Sequence, residues 1–129
     1  PPEPVSRAVT LVAETIQSVV LKIKPGVICT DLDRYARELF SKAGFPEFKH
    51  ALGHQLGRMA HDGGSIIGPE WKRYGNTINQ PIEVNQVYTI EPSIFLEEFG
   101  IIGLEENILV TVTGAEFLTT PQTEIIVRL

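Results

Sequence analysis

Residues 50–61 read His50-Ala51-Leu52-Gly53-His54-Gln55-Leu56-Gly57-Arg58-Met59-Ala60-His61 and hold all three histidines of the chain. His50 and His54 stand at i and i+4, the spacing that would set two imidazoles on one helical face. Gly53 and Gly57 argue against a helix, because a glycine in a helix interior costs about 1 kcal/mol relative to alanine. The stretch is therefore expected to be extended or looped. The period of the chain changes across this stretch, helical before it and strand-like after it.

Upstream, Val5, Ala8, Val9, Val12, Ile16, Val19, Val20 and Ile23 recur at three- and four-residue spacing and predict a long amphipathic helix. Lys24-Pro25-Gly26 closes it, as proline disfavours helical geometry in the residue before it. A second helix is expected soon after, with Thr30 and Asp33 as a capping pair. Leu32, Tyr35, Leu39 and Phe40 would form its apolar face, and Gly44 would be its C-terminal stop.

Downstream, short runs rich in β-branched and aromatic residues are bounded by Gly, Pro and Asn, which reads as strand. Val87-Tyr88-Thr89-Ile90 leads into Glu91-Pro92, and Ile101-Ile102-Gly103-Leu104 leads into Glu105-Glu106-Asn107-Ile108-Leu109-Val110. With Glu97-Glu98-Phe99-Gly100 as the turn, an antiparallel hairpin is predicted. If its pairing is centred near residue 98, Glu91 lies opposite Glu105 or Glu106, close enough for two carboxylates to share an ion. A last strand pair is expected around Phe117-Leu118 and Ile125-Ile126-Val127. The fold class is thus α+β, two helices followed by antiparallel strands.

The chain has 129 residues, a net charge of -5, 43% hydrophobic residues and a pI near 5.2, which suits one globular domain over residues 1–129. Its acidity argues against nucleic acid or an anionic membrane as partner. No apolar stretch approaches the roughly 20 residues of a membrane-spanning helix. A single cysteine, Cys29, cannot form an internal disulfide, which fits a reducing compartment and a cytoplasmic location; it reads as a buried structural thiol. The opening Pro1-Pro2-Glu3-Pro4 looks like a cut end, so the chain is expected to be a piece of something longer.

Zinc sites of the finger or ribbon type need several cysteines at close spacing, and this chain has one. What remains is imidazole plus carboxylate, a donor set that suits Mn, Co, Fe or Zn. Each histidine or glutamate alone has an ordinary structural explanation. Three histidines followed in order by a TIEP strand end and a LEEN strand start do not.

These residues resemble the metallopeptidases of the pita-bread fold, which include methionine aminopeptidase, aminopeptidase P, prolidase and the non-peptidase creatinase. His50-Ala51-Leu52-Gly53-His54, with Gly57 and His61-Asp62, looks like that family's HGxGHxxGxxxHE/D segment. Val87–Ser93 resembles its VFTIEPG strand, Gly103–Thr111 resembles its RIEDxVLVT strand, and Lys24-Pro25-Gly26-Val27 follows its pattern too. The resemblance implies that His54, Glu91 and Glu105 are three of five ligands of a site for two divalent metal ions, Glu105 bridging both. Manganese comes first among the candidate metals, with Co, Zn or Fe as alternatives. It implies further that His61 contacts the scissile carbonyl and that His50 lines the pocket for the residue after the cleaved bond. The presence of both His50 and His54 inclines the reading toward the proline-handling branch: a Xaa-Pro dipeptidase or aminopeptidase P acting on peptides with proline after the scissile bond, as a homodimer. A non-catalytic binding module of the same fold and a creatinase-like C–N hydrolase are the alternatives.

The remaining two ligands of that family are aspartates on strands preceding the first helix. This chain has three aspartates, Asp31, Asp33 and Asp62. Asp31 and Asp33 fall at a helix start, where a capping or solvent role is expected, and Asp62 follows His61 where an acid is common without being a ligand. The expectation is therefore the C-terminal part of a catalytic domain, inactive alone unless another chain supplies the aspartates, with apolar surface exposed where the missing strands would pack. A second departure is Gly103, where an arginine often stands. Arg58 reads as a surface residue before it reads as a substrate contact, and Trp71 and Tyr74 read as packing residues before they read as a pocket cover.

Overall fold

The computed structural model describes residues 1–61 and 63–127; Asp62, named above, lies outside the described residues. Helix α1 runs Glu3–Val20 and α2 runs Cys29–Lys42. Among the described residues seven strands follow: β1 Gly53–Leu56, β2 Ile66–Ile67, β3 Val87–Ile90, β4 Ser93–Leu96, β5 Gly100–Gly103, β6 Glu106–Val110 and β7 Ala115–Phe117. Short 3₁₀ turns occupy Lys72–Tyr74 and Thr77–Asn79.

The apolar stripe read from the sequence is the buried face of α1. Ala8, Val12, Ile16 and Val19 reach 0–1% exposure and pack with Leu32, Ala36 and Phe40 of α2 and with Tyr88, Ile90, Ile108 and Val110 of the sheet. Beyond Val20 the chain tightens, Ile23 N–H donating to Val20 O at 3.1 Å, before Pro25 ends the helical geometry. Gly44 takes φ +78 just past α2, the left-handed stop that glycine makes cheaply.

The start of α2 differs from the expectation. Its N-cap is Ile28, in extended conformation and without a side-chain cap, and Thr30 lies buried inside the helix. One of the first-turn amides that has no acceptor within the helix finds a tertiary partner, Cys29 N–H donating to Gln80 O at 3.1 Å. Asp33 neither caps nor faces solvent. It is 1% exposed, receives the Arg37 guanidinium at 2.6 Å and accepts the Leu52 N–H at 3.1 Å. Asp31 is exposed and pairs with Arg34 at 2.7 Å, a solvent-side role as expected.

The hairpin forms with the expected centre. Ladder β3–β6 pairs Val87 with Leu109 and Ile90 with Glu106, and ladder β4–β5 pairs Ser93 with Gly103 and Leu96 with Gly100. Both ladders keep one register, so Glu91 falls opposite Glu105 in the gap between them. Gly100 supplies φ +82 at the tip, where a β-carbon would be strained. The main sheet has the order β2-β1-β3-β6-β7, all antiparallel, and β4–β5 forms a separate two-stranded ribbon against α1.

The last strand pair is a correction. β7 pairs with β6, but residues 125–127 form no strand. On either side of Pro121 the chain is tied elsewhere: Thr119 Oγ1 donates to Glu106 Oε2 at 3.4 Å and Gln122 N–H to Glu106 Oε1 at 2.8 Å, holding it to a side chain rather than to the ladder. Apolar surface is exposed on the ribbon, where the cross-strand partners Phe95 and Ile101 are 63% and 74% exposed. Among the described residues, no helix is long and apolar enough to cross a membrane.

Candidate metal centre

Strand β1 carries His54 and lies beside β3, whose last residue precedes Glu91. Their approach is set by Gly53: a β-carbon there would stand 1.9 Å from the Thr89 carbonyl oxygen, so only glycine lets the strands come this close. Thr89 then ties the two functional side chains together. Its Oγ1 accepts the His54 backbone N–H at 3.0 Å and donates to Glu91 Oε1 at 3.2 Å, while the Glu91 N–H donates to Leu52 O at 2.7 Å.

The geometry at His54 suits a shared cation. Its Nδ1 lies 3.2 Å from the Gln55 carbonyl oxygen, which can only accept, so in the neutral ring Nδ1 carries the proton and Nε2 keeps its lone pair. That lone pair faces Glu91 Oε1 at 3.5 Å. An ion about 2.1 Å from each of two donors in tetrahedral arrangement would hold them about 3.4 Å apart, so the pair fits a divalent metal.

A pocket of about 590 Å³ brings the other expected residues to the same place: His50, His54, His61, Glu91 and Glu105 all line it, with Ser93, Gly103 and Tyr74. His61 is exposed, its ring 4.4 Å from that of His54. Glu105 is exposed as well, whereas its neighbour Glu106 is buried and spent on Thr119 and Gln122. Of the two acids left open by the sequence, Glu105 is thus the one in the pocket. Among the described residues, no group of three or more His, Cys, Asp and Glu side chains converges tightly enough to hold an ion by itself. The residues fit two donors to a metal, with Glu105 nearby.

Around the site, Arg58 is exposed on the loop after β1. Trp71 stacks on Tyr74 with ring centroids 5.8 Å apart, and the Arg37 and Arg73 guanidinium groups lie over Trp71 at 5.4 and 4.5 Å. Tyr74 forms pocket wall and Trp71 braces it. Cys29 is fully buried beneath the sheet, and burial pushes its thiol up to about 11, as befits a structural residue.

Two features escaped the sequence reading. Nothing in its local pattern marks Arg37, yet it donates to Phe48 O and His50 O at 2.8 Å each, gripping the segment that enters the site. Ser93, which stands where the family strand pattern has glycine, meets His50 at 2.7 Å. Comparison of VYTIEPS with that pattern would have flagged it.

Comparison with known proteins agrees with this geometry. The model of metallopeptidase family M24 matches residues 1–112. An uncharacterised peptidase of Staphylococcus epidermidis is 36% identical over 116 residues, 83% of this chain and 31% of that protein. A Xaa-Pro dipeptidase of Pyrococcus horikoshii is 32% identical over 117 residues, 90% of this chain and 31% of that protein. The crystal structure of an X-Pro aminopeptidase from Thermotoga maritima superposes with a TM-score of 0.84 at 32% identity, covering 97% of this chain and 33% of that one. The chain spans about a third of the length of the curated relatives it matches. Two helices followed by antiparallel strands, with an imidazole and carboxylates lining one pocket, are what this family's pita-bread fold and divalent-metal chemistry require, and the chain belongs to metallopeptidase family M24.

Proposed function

We propose that this chain is the C-terminal part of the catalytic domain of a metal-dependent exopeptidase that cleaves before proline, of the Xaa-Pro dipeptidase or Xaa-Pro aminopeptidase kind. In this reading His54, Glu91 and Glu105 are metal ligands. The observation that carries it is His54 Nε2 facing Glu91 Oε1 at 3.5 Å inside the pocket that Glu105, His50 and His61 also line. The names of relatives that match nearly the whole chain, a Xaa-Pro dipeptidase and an X-Pro aminopeptidase, support the proline preference.

Bound divalent ions would supply an activated water and neutralise developing negative charge. This chain's own residues then divide the remaining work. Glu91 moves a proton at its carboxylate, His61 at the pocket mouth steadies the carbonyl being attacked, and His50 receives the residue after the cleaved bond. Asp31 and Asp33 are committed to Arg34 and Arg37, so the missing carboxylate ligands come from outside the described residues, on upstream strands or another chain. Manganese, a homodimer and a cytoplasmic setting complete the proposal; the buried free thiol of Cys29 fits the last.

The test is hydrolysis of Xaa-Pro dipeptides and longer Xaa-Pro peptides with added manganese, by this chain alone and by a version extended upstream, each against Glu91→Ala. Turnover by the extended protein that disappears in Glu91→Ala is expected. Hydrolysis that survives Glu91→Ala, or an extended protein that ignores Xaa-Pro bonds, would refute the reading.

A further inference from the structure

Ser93 opens β4 half-buried and lines the pocket, with its Oγ 2.7 Å from His50 Nε2. The other ring nitrogen of His50, Nδ1, lies 2.7 Å from the Ala51 carbonyl oxygen. A carbonyl oxygen only accepts, so in the neutral ring Nδ1 carries the proton, Nε2 presents its lone pair, and the Ser93 hydroxyl donates to it. The imidazole is also held in place. Its main-chain carbonyl takes an Arg37 N–H at 2.8 Å, and its ring packs on Phe48 with centroids 5.2 Å apart. A hydroxyl on a base, with the base oriented by a third group, is the arrangement that activates a serine.

Ser93 pairs in register with Gly103, and both depart from the family's strand patterns, a serine for a glycine and a glycine for an arginine. A β-carbon at Gly103 would come within 3.2 Å of Ser93 Cβ. Gly103 thus adds no side chain beside Ser93, and both residues line the pocket.

We propose that Ser93 is a nucleophilic serine, with His50 as its base, that accepts a phosphonyl or acyl group from small activated esters and needs no metal ion to do so. With a fluorophosphonate, Ser93 Oγ attacks phosphorus, the P–O bond forms as the P–F bond breaks, fluoride leaves and the hydroxyl proton passes to His50 Nε2. With an activated ester, the same oxygen attacks the carbonyl carbon and the alcohol portion leaves as its anion. Glu91 and Glu105 line the same pocket, and their negative charge disfavours an oxyanion. Reaction is therefore slower than in a dedicated serine hydrolase, and uncharged reagents are preferred.

The experiment treats the chain with an uncharged fluorophosphonate in excess EDTA and locates adducts by intact mass and peptide mapping. A single adduct on Ser93 is expected, absent from Ser93→Ala and formed roughly a hundredfold more slowly in His50→Gln of matching circular dichroism. No adduct on Ser93 in the folded chain, or equal labelling in folded His50→Gln, overturns the proposal. Should His50→Gln not fold, Ser93→Cys replaces it: iodoacetamide should alkylate the introduced thiol well ahead of buried Cys29 and faster than a free cysteine in solution, and a rate no faster than free cysteine overturns the proposal. Chelator is present throughout, so a failure here is distinct from a failure of the peptidase reading, which shows only in the manganese assay.

Discussion

Gly53 and Thr89 meet so closely that a β-carbon on Gly53 would sit 1.9 Å from the Thr89 carbonyl oxygen. The obstacle is backbone in the middle of a sheet, which cannot swing aside as a flexible side chain would. Gly53→Ala should therefore part β1 from β3, at a cost of about 1–3 kcal/mol or more for overpacking. Urea unfolding monitored by far-ultraviolet circular dichroism measures it. A variant within about 0.5 kcal/mol of the parent would mean that the strands are free to separate.

Thr89 couples the two residues that face each other across the pocket. Its hydroxyl is the link between the His54 backbone and the Glu91 carboxylate, and the side chain is fully buried. Thr89→Val keeps the shape but leaves the His54 N–H without its acceptor, which costs about 1–3 kcal/mol. If His54 and Glu91 share an ion, the affinity for Mn²⁺ or Co²⁺ measured by titration calorimetry should fall about 10–100-fold, as for loss of a group that orients metal ligands. Equal affinity in the two proteins would show that the ion is not held by this pair.

The extent to which the sequence foretold this site follows from what is local. That Glu91 faces Glu105 or Glu106 was legible because strand-like runs flank one turn, whereas the choice of Glu105 comes from the register that the two ladders share. The burial of Asp33 was not, because Thr30 and Asp33 carry the same local pattern as a capping pair. The difference lies in Leu52, 19 residues on, which supplies the N–H that Asp33 accepts. Residues 125–127 illustrate the same limit from the other side. Their β-branched content states a propensity, while pairing needs a partner, and Glu106 pins the preceding segment away from the ladder.

Arg37 should be the costliest polar residue to remove. It neutralises Asp33 at 2.6 Å and donates to Phe48 O and His50 O, so Arg37→Met strands a buried carboxylate and two carbonyls at once. The expected loss is about 3–5 kcal/mol at neutral pH. Burial already raises the Asp33 carboxyl above its ordinary value of 3.8 despite the pull of Arg37, and removal of the guanidinium raises it further. A folded-state pKa above the unfolded one favours the protonated form in the fold. The stability of Arg37→Met should then be greatest at low pH and decline as pH rises through the raised value. Denaturant midpoints of parent and variant at pH 4 and pH 7 test this, and a penalty as large at pH 4 as at pH 7 would mean the carboxylate is not what the guanidinium relieves.

Alkali should unfold the protein through Cys29 and Tyr88, which lie fully buried in one core beneath the sheet. Burial pushes the Cys29 thiol from 9.0 up to about 11, and desolvation raises the Tyr88 hydroxyl as well. Both groups ionise more readily in the unfolded chain, so each favours the fold while protonated. The thiol's contribution is fully present below pH 9, where the unfolded chain would begin to ionise, and is lost as pH rises toward about 11. A shift of this size corresponds to about 2–3 kcal/mol by proton linkage. Cys29→Ala should lower stability at pH 8 by leaving a small void, yet flatten the decline between pH 8 and pH 11 because one of the two titrating groups is gone. The slope rather than the level reports the thiol, and urea midpoints across that range read it directly. An unchanged slope would assign the alkaline loss to Tyr88 alone.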